Sequence, residues 1–203
     1  MTQHKFSIPA PSGVLHGVVH LPQGEPRAIA VVAHPLPIMG GTMDNKIVTT
    51  LVKTFCELGF IAVRFNFRGV GESTGVYDDG NGEVDDVQTI VQYALDEFGA
   101  LPLVLSGFSF GGYVQARVAE KIKAHKLVLI APAVGRFAMP QVPDNTLLIH
   151  GEMDEVVALS DLFIWARQQH LPIVVVPEAT HYFHGYLHHL KAIVSQHFNG
   201  HPI

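Results

Sequence analysis

The sequence predicts an α/β fold with a mostly parallel sheet, and two observations indicate it. Short apolar runs, typical of buried parallel strands, alternate with segments whose apolar residues recur at helical spacing. No repeat, low-complexity tract or linker divides the 203 residues, so 1–203 is expected to form a single domain. Because ligands of such sheets bind beyond the carboxyl ends of the strands, the residues that follow each strand are the candidates for function.

The predicted elements begin with an antiparallel hairpin around the turn Pro11-Ser12-Gly13. Its strands and the later apolar runs give the predicted strands 5–8, 14–21, 28–33, 60–65, 103–105, 126–130, 146–149 and 173–176. Helical spacing predicts helices over 44–58, 84–98, 111–122 and 158–169, and a last one that places Leu187, Leu190, Val194 and Phe198 on one face.

Composition excludes several classes of function. The formal net charge is −5 and no basic run is present, so neither a nucleic-acid partner nor an anionic membrane surface is expected. No apolar run approaches the roughly 18 residues of a membrane span, and the N-terminal stretch lacks the apolar core of a signal peptide. The one cysteine, Cys56, allows no intrachain disulfide and is expected to be buried and inert. We therefore expect a cytoplasmic protein, whose oligomeric state stays open.

The stretch GFSFGG, residues 107–112, holds the first candidate catalytic residue. Ser109 lies between a predicted strand and a predicted helix, where a sharp turn exposes a nucleophilic serine. Gly107 and Gly111 suit such a turn because residues two before and two after the serine crowd each other. The alternatives are a purely structural turn, or Ser106 as the reactive hydroxyl, although Ser106 precedes the turn.

A carboxylate and a histidine follow later strands. Asp154 comes after the strand at 146–149 and His181 after the strand at 173–176. A serine needs a base to take its proton as it attacks, and the base needs a carboxylate to orient it. Glu152 is the alternative carboxylate, and Asp154 has a structural alternative as a cap for the next helix. His184 and His188 have metal-binding spacing, but no supporting carboxylate motif accompanies them, so no metal is expected.

With these residues the sequence resembles the small bacterial α/β-hydrolases near the dienelactone hydrolase and carboxylesterase groups. The stretches that carry the resemblance over nearly the whole chain are GFSFGG, HPLPIMGGTMDNKIV, RFNFRGVGEST, HGEMDEVV and ATHYFHG. The resemblance implies an eight-stranded sheet with an antiparallel second strand and helices on both faces. It also implies Ser109 as nucleophile, Asp154 as acid and His181 as base. The oxyanion hole would be formed by the backbone N–H groups of Phe110 and Leu36.

The chain departs from the family pattern at two places and has serine where dienelactone hydrolases have cysteine. His34-Pro35 stands where many relatives have His-Gly, and Asn66 where many have aspartate. The following Arg68 to Ser73 is interpreted as scaffolding of a loop near the site.

No cap domain is expected, because only fifteen residues separate Ile130 from Thr146, where many relatives carry the cap. An open site of this kind suits small acyl groups. Apolar candidates for the substrate pocket are Ile38, Met39, Phe108, Phe137, Tyr182 and Phe183.

The sequence thus predicts a cofactor-independent serine hydrolase of small-molecule carboxylic esters or thioesters. Peptide or amide hydrolysis by the same residues is one alternative, because the same three side chains serve both reactions. A non-catalytic α/β module that binds a ligand is the other.

Overall fold

Eight strands form one sheet in the computed structural model, which describes residues 2–200. The strands are β1 Thr2–Ala10, β2 Gly13–Leu21, β3 Ala28–Ala33, β4 Phe60–Phe65, β5 Leu103–Phe108, β6 Lys126–Ile130, β7 Leu147–Gly151 and β8 Val174–Val176. Their order across the sheet is β1-β2-β4-β3-β5-β6-β7-β8. The pairs β1–β2 and β2–β4 are antiparallel and all the others are parallel. This sheet confirms the predicted fold class, including the antiparallel second strand.

Within residues 2–200, five α-helices cover the two faces of the sheet. They are α1 Lys46–Glu57, α2 Asn81–Phe98, α3 Phe110–Ala119, α4 Leu159–Arg167 and α5 Leu187–Gly200. One apolar cluster lies under α2, α3 and α4, and a second lies under α1 and α5. Burial on both faces explains why the central strands read as unbroken apolar runs, such as β3, in which every residue is buried.

The ends of several elements differ from the predicted ones. Helix α2 begins before Val84, because the carboxylate of Glu83 accepts the backbone N–H groups of Asp78 and Gly80 and so caps the first turn. The first turn itself, Asn81-Gly82-Glu83, carries no apolar pattern. A short 3₁₀ helix, Pro37–Met39, was not predicted, because three residues are too few to show a period.

The chain reverses its direction of winding at β3. This strand lies between β4 on one side and β5 on the other, so the two connections that follow it run in opposite directions across the sheet. Such a switch point leaves a crevice at the carboxyl ends of the two diverging strands. The loops after β3 and β5 carry Leu36 and Ser109, which places both at this crevice.

The connection from β6 to β7, residues 131–145, contains no helix or strand. Because β6 and β7 are parallel neighbours, it returns from the carboxyl end of β6 to the amino end of β7 as loops and turns, with a single bridge between Val134 and Phe137. The expected absence of a cap domain is therefore confirmed.

None of the helices in the described chain has the length and apolar character that a membrane crossing requires.

Candidate active site

Ser109 lies on a sharp turn between β5 and α3. Its φ of 54° and ψ of −116° are in a region that side-chain-bearing residues rarely adopt. A Cβ on Gly107 would stand 2.3 Å from the backbone of Gly111, which is the crowding expected at such a turn. A Cβ on Gly111 would instead stand 2.4 Å from the carbonyl oxygen of Ala33. The second glycine therefore gives room to the end of β3 as well as to the turn.

His181 joins Ser109 to Asp154 through two hydrogen bonds. Its Nε2 lies 3.1 Å from the Oγ of Ser109, and its Nδ1 lies 2.8 Å from Oδ2 of Asp154. Because a carboxylate only accepts hydrogen bonds, Nδ1 carries the proton and Nε2 is free to accept the hydroxyl proton of Ser109. The three predicted side chains, separated by 45 and 27 residues in the sequence, are thus brought together in the order that nucleophilic catalysis needs.

The carboxylate of Asp154 is fully enclosed by donors. Its Oδ1 accepts the backbone N–H groups of Val156 and Val157 at 2.9 and 2.7 Å. Burial raises the pKa of this carboxyl, but the hydrogen bonds from His181 and from the two amides outweigh it, so the net shift is downward. Asp154 is therefore held ionised beside His181. The alternative carboxylate, Glu152, is exposed and accepts the backbone N–H of Glu178 instead.

The turn at Asp154 shows why a capping role was a reasonable alternative. The carboxylate does accept backbone amides ahead of α4, but the cap position of that helix is Ala158, which has no side-chain cap. Asp154 therefore orders the loop before the helix rather than the helix itself.

His150 is a buried residue of the site that the sequence analysis did not identify. Its Nε2 donates to the carbonyl oxygen of Val157 at 2.9 Å and lies 3.4 Å from Oδ2 of Asp154. Burial lowers the pKa of His150, which keeps the imidazole neutral. In the sequence, His150 stands inside the apolar strand β7, and nothing in that pattern distinguishes it from a core residue.

His34 fixes the loop after β3. Its Nε2 accepts the backbone N–H of Phe67 at 3.1 Å, so its Nδ1 carries the proton and donates to the carbonyl oxygen of Pro35 at 2.6 Å. Burial lowers the pKa of His34 to about 4, although the bond to Pro35 acts in the opposite direction. The neutral imidazole thus ties the loops after β3 and β4 together behind Leu36.

Two residues that line the cavity beside Ser109 have backbone N–H groups without a hydrogen bond in the described chain. Within residues 2–200, no hydrogen bond uses the N–H of Phe110, the first residue of α3, or that of Leu36. The carbonyl oxygen of Leu36 accepts the N–H groups of Met39 and Gly41, which closes the loop into a tight turn. Uncommitted amides at the N-terminus of a helix and on a rigid loop are the donors that stabilise a developing oxyanion.

The cavity over Ser109 has a volume of about 220 Å³. This is below the roughly 300–1,000 Å³ of pockets for drug-sized ligands, so it fits a small group. Its lining consists of Pro35, Leu36, Met39, Gly40, Gly41, Asn45, Ser109, Phe110, Ala133, Arg136, Phe137, Val156, Val157, His181 and Tyr182. Of the apolar pocket candidates, Met39, Phe137 and Tyr182 are among these residues.

Ile38, Phe108 and Phe183 do not line the cavity, which corrects the predicted pocket. Phe108 points to the face of the sheet under α1 and α5, and Phe183 is buried in the same cluster. Phe108 still contacts the site indirectly, since its ring centroid lies 4.9 Å from that of His181. Ile38 is exposed and lies outside the lining.

The remaining candidates have structural surroundings. Ser106 is fully buried in β5. Asn66 accepts the backbone N–H of Met43 at 2.9 Å, and Arg68 makes an ion pair with Asp86, so both support loops beside the site. Residues 2–200 contain no cluster of three or more histidine, cysteine or acidic residues arranged to hold a metal ion.

Comparisons with known proteins agree with the fold. The sequence profile of a family described as "serine aminopeptidase, S33" matches residues 24–143. A lidless α/β serine hydrolase from Xanthomonas campestris superimposes with a TM-score of 0.93 at 35% identity, over 97% of this chain and 94% of that one. An α/β serine hydrolase homologue from Coxiella burnetii gives 0.91 at 39% identity, over 97% of both chains. Est1E of Butyrivibrio proteoclasticus, solved with ferulic acid bound, shares the fold at 17% identity, with a TM-score of 0.81 over 94% and 96% of the two chains.

Proposed function

Since this chain belongs to the lidless α/β serine hydrolases, in the family described as serine aminopeptidase, S33, we propose that it cleaves carboxylic esters or thioesters of small acyl groups without a cofactor. The observation that carries the proposal is the hydrogen-bonded chain from Ser109 through His181 to Asp154. The protein would act on soluble small molecules. A cytoplasmic location belongs to the same proposal, and the single cysteine, Cys56, supports it.

In the first half of the reaction, the Oγ of Ser109 attacks the acyl carbon while Nε2 of His181 takes the hydroxyl proton. Asp154 stabilises the imidazolium that forms and holds it in place. The N–H groups of Phe110 and Leu36 would donate to the oxyanion, and each such donor typically contributes roughly 3 kcal/mol to the transition state. His181 then returns the proton to the leaving alcohol or thiol, and the acyl group stays on Ser109.

In the second half, water enters the position of the leaving group. His181 takes a proton from this water as it attacks the acyl carbon, and the resulting tetrahedral intermediate collapses to release the carboxylic acid. The proton on Nε2 returns to the Oγ of Ser109, which restores the starting state.

Aminopeptidase activity is the second candidate, because the description of the matched family names it. A free peptide N-terminus is positively charged at neutral pH, and a carboxylate is the group that recognises it. No acidic residue belongs to the lining of the described cavity. The cavity therefore favours an ester over a peptide with a free amino end. Matched ester and aminoacyl anilide substrates separate the two, and higher kcat/KM on the anilide would favour the peptidase.

A fluorophosphonate probe tests the proposed function. We expect one probe molecule on Ser109 of the wild type, and both labelling and ester hydrolysis to fall at least about a thousandfold in Ser109→Ala. Ser106→Ala is the matched control: it removes a serine hydroxyl three residues away and is expected to keep labelling and turnover. A folded wild type that stays unlabelled would contradict the proposal.

A further inference from the structure

Among residues 2–200, Arg136 is the only charged side chain that lines the cavity over Ser109. It belongs to the loop after β6, and β5 lies between β3 and β6 in the sheet. The loop with Leu36 and the loop with Arg136 therefore flank Ser109 on two sides. An arginine keeps its positive charge at any physiological pH, so one wall of this small cavity is permanently cationic.

The exposed Arg136 side chain lies against an aromatic stack. Its guanidinium carbon lies 5.8 Å from the centroid of the Phe137 ring, a distance at which the ring face attracts a cation. Phe137 in turn stacks on Tyr113 with ring centroids 4.7 Å apart, and its ring centroid lies 5.3 Å from that of Phe110. The guanidinium thus packs against Phe137, whose ring lies beside that of Phe110, the residue after Ser109.

No acidic partner neutralises this charge in the part of the chain that the structure describes. Arg136 takes part in none of the ion pairs of residues 2–200. Three acidic residues are close by but differently placed. A carboxylate oxygen of Asp161 lies beside Gly135, and Glu155 accepts the backbone N–H of His181. The third is Asp79: burial and Asp79 raise the pKa of Tyr77, while the charge of Arg136 lowers it. None of the three lines the cavity.

The opposite side of the cavity adds a neutral donor. Asn45 uses its Oδ1 to accept the backbone N–H of Ile47, which caps α1. Its amide nitrogen makes no hydrogen bond within residues 2–200, while Asn45 lines the cavity. The lining therefore offers donors and a positive charge, but no carboxylate.

We propose that Arg136 forms a subsite for an anionic group, so that the substrate is a small ester carrying a carboxylate in its acyl or its alcohol half. This rests on the proposed hydrolase function and names its substrate class. A guanidinium binds a carboxylate through two parallel hydrogen bonds. Because the net charge of the chain is −5, attraction of an anion has to come from a local cation.

Two matched substrate pairs test the subsite. Hydrogen glutarate and pentanoate p-nitrophenyl esters differ by a carboxylate at the end of the acyl chain. Carboxymethyl butanoate and isobutyl butanoate differ by a carboxylate in the alcohol. For each pair, the ratio of kcat/KM for the anionic ester to that for the neutral one is measured in the wild type, Arg136→Gln and Arg136→Lys. Arg167→Gln is the matched control, because it removes an exposed arginine of α4 that does not line the cavity.

We expect the ratio for one pair to fall about ten- to a hundredfold in Arg136→Gln, less in Arg136→Lys, and to stay unchanged in Arg167→Gln. The pair that responds identifies the half of the substrate that reaches Arg136. Equal ratios in the wild type and Arg136→Gln for both pairs would overturn the subsite and leave the hydrolase function intact. No turnover of any of the four esters, with Ser109 unlabelled by the fluorophosphonate, would contradict the hydrolase function and the subsite together.

Discussion

At the scale of single residues, the surroundings of Asp154 decide how well His181 is oriented. Two backbone amides hold one carboxylate oxygen, and His181 and the nearby His150 face the other. His150 also pins the turn by donating to the carbonyl oxygen of Val157. The position of the carboxylate thus depends on a residue that does not line the cavity over Ser109.

Replacement of His150 tests this dependence. We expect His150→Phe to lower kcat roughly tenfold with little change in KM. A lost hydrogen bond near a charged group costs about 1.5–3 kcal/mol, and we expect only part of this free energy to be lost from the stabilisation of the transition state. His150→Gln, whose amide nitrogen can stand near Nε2, should recover part of kcat. Steady-state kinetics on one ester measure both. Equal kcat values for the two variants would show that donation by residue 150 is unimportant.

The residues that sequence reasoning found share one property: their chemistry shows in their type and in their place after a strand. Ser109, Asp154 and His181 are of this kind, and the structure brings them into contact. Arg136 was missed because its loop has no period and a lone arginine on a loop is usually solvated. Phe108 is buried because its position in β5 directs its side chain to the sheet face under α1 and α5. The sequence does not show which face of the sheet a given strand position has.

At the scale of elements, two close contacts limit the size of the residues that fit in the turn between β5 and α3. One contact cannot adjust to a larger side chain and the other can. A Cβ at position 111 would meet the carbonyl oxygen of Ala33 at 2.4 Å, and backbone at the end of a central strand cannot give way. At position 112, a Cβ would meet the Cβ of Pro132 at 3.2 Å, where a small adjustment is enough.

The substitutions Gly111→Ala and Gly112→Ala therefore form a matched pair. We expect Gly111→Ala to lower the free energy of unfolding by about 1–3 kcal/mol or more, as overpacking does, and to slow labelling of Ser109. Gly112→Ala should stay within about 1 kcal/mol of the wild type, because alanine also favours the helix by about that amount. Urea unfolding and the rate of fluorophosphonate labelling measure the two effects. Similar losses in both variants would argue against a specific contact with β3.

The elements with clear hydrophobic periods were predictable from the sequence, and their ends were less so. Strands β3, β4 and β6 have the predicted bounds, because their apolar runs are almost entirely buried. The start of α2 depends on the side chain of Glu83 accepting amides of the preceding loop. A contact of this kind leaves no hydrophobic pattern.

At the scale of the whole molecule, buried neutral histidines link folding to pH. Burial lowers the pKa of His34 to about 4, and burial together with Arg64 lowers that of His20 to about 4. An unfolded histidine titrates near pH 6.5. Between roughly pH 6.5 and 4 the unfolded chain therefore binds more protons than the folded one, so stability is complete above this window and falls as the pH falls through it.

For His34 alone, this difference amounts to roughly 2 kcal/mol of unfolding free energy lost between pH 7 and pH 5. Urea unfolding at the two pH values measures it. His34→Asn should be less stable at pH 7 but should lose less on acidification. His125→Asn, which removes an exposed imidazole, should keep the dependence of the wild type. An unaltered pH dependence in His34→Asn would contradict the assigned role of burial.

The uncapped connection between β6 and β7 has a kinetic consequence. Within residues 2–200 no cap domain has to move before a substrate reaches Ser109, so the first encounter in the proposed reaction needs no opening step. In the proposed reaction, the same openness would leave the acylated Ser109 accessible to bulk solvent. Added alcohols would then compete with the full concentration of water for the acyl group, which favours hydrolysis over acyl transfer in the proposed reaction.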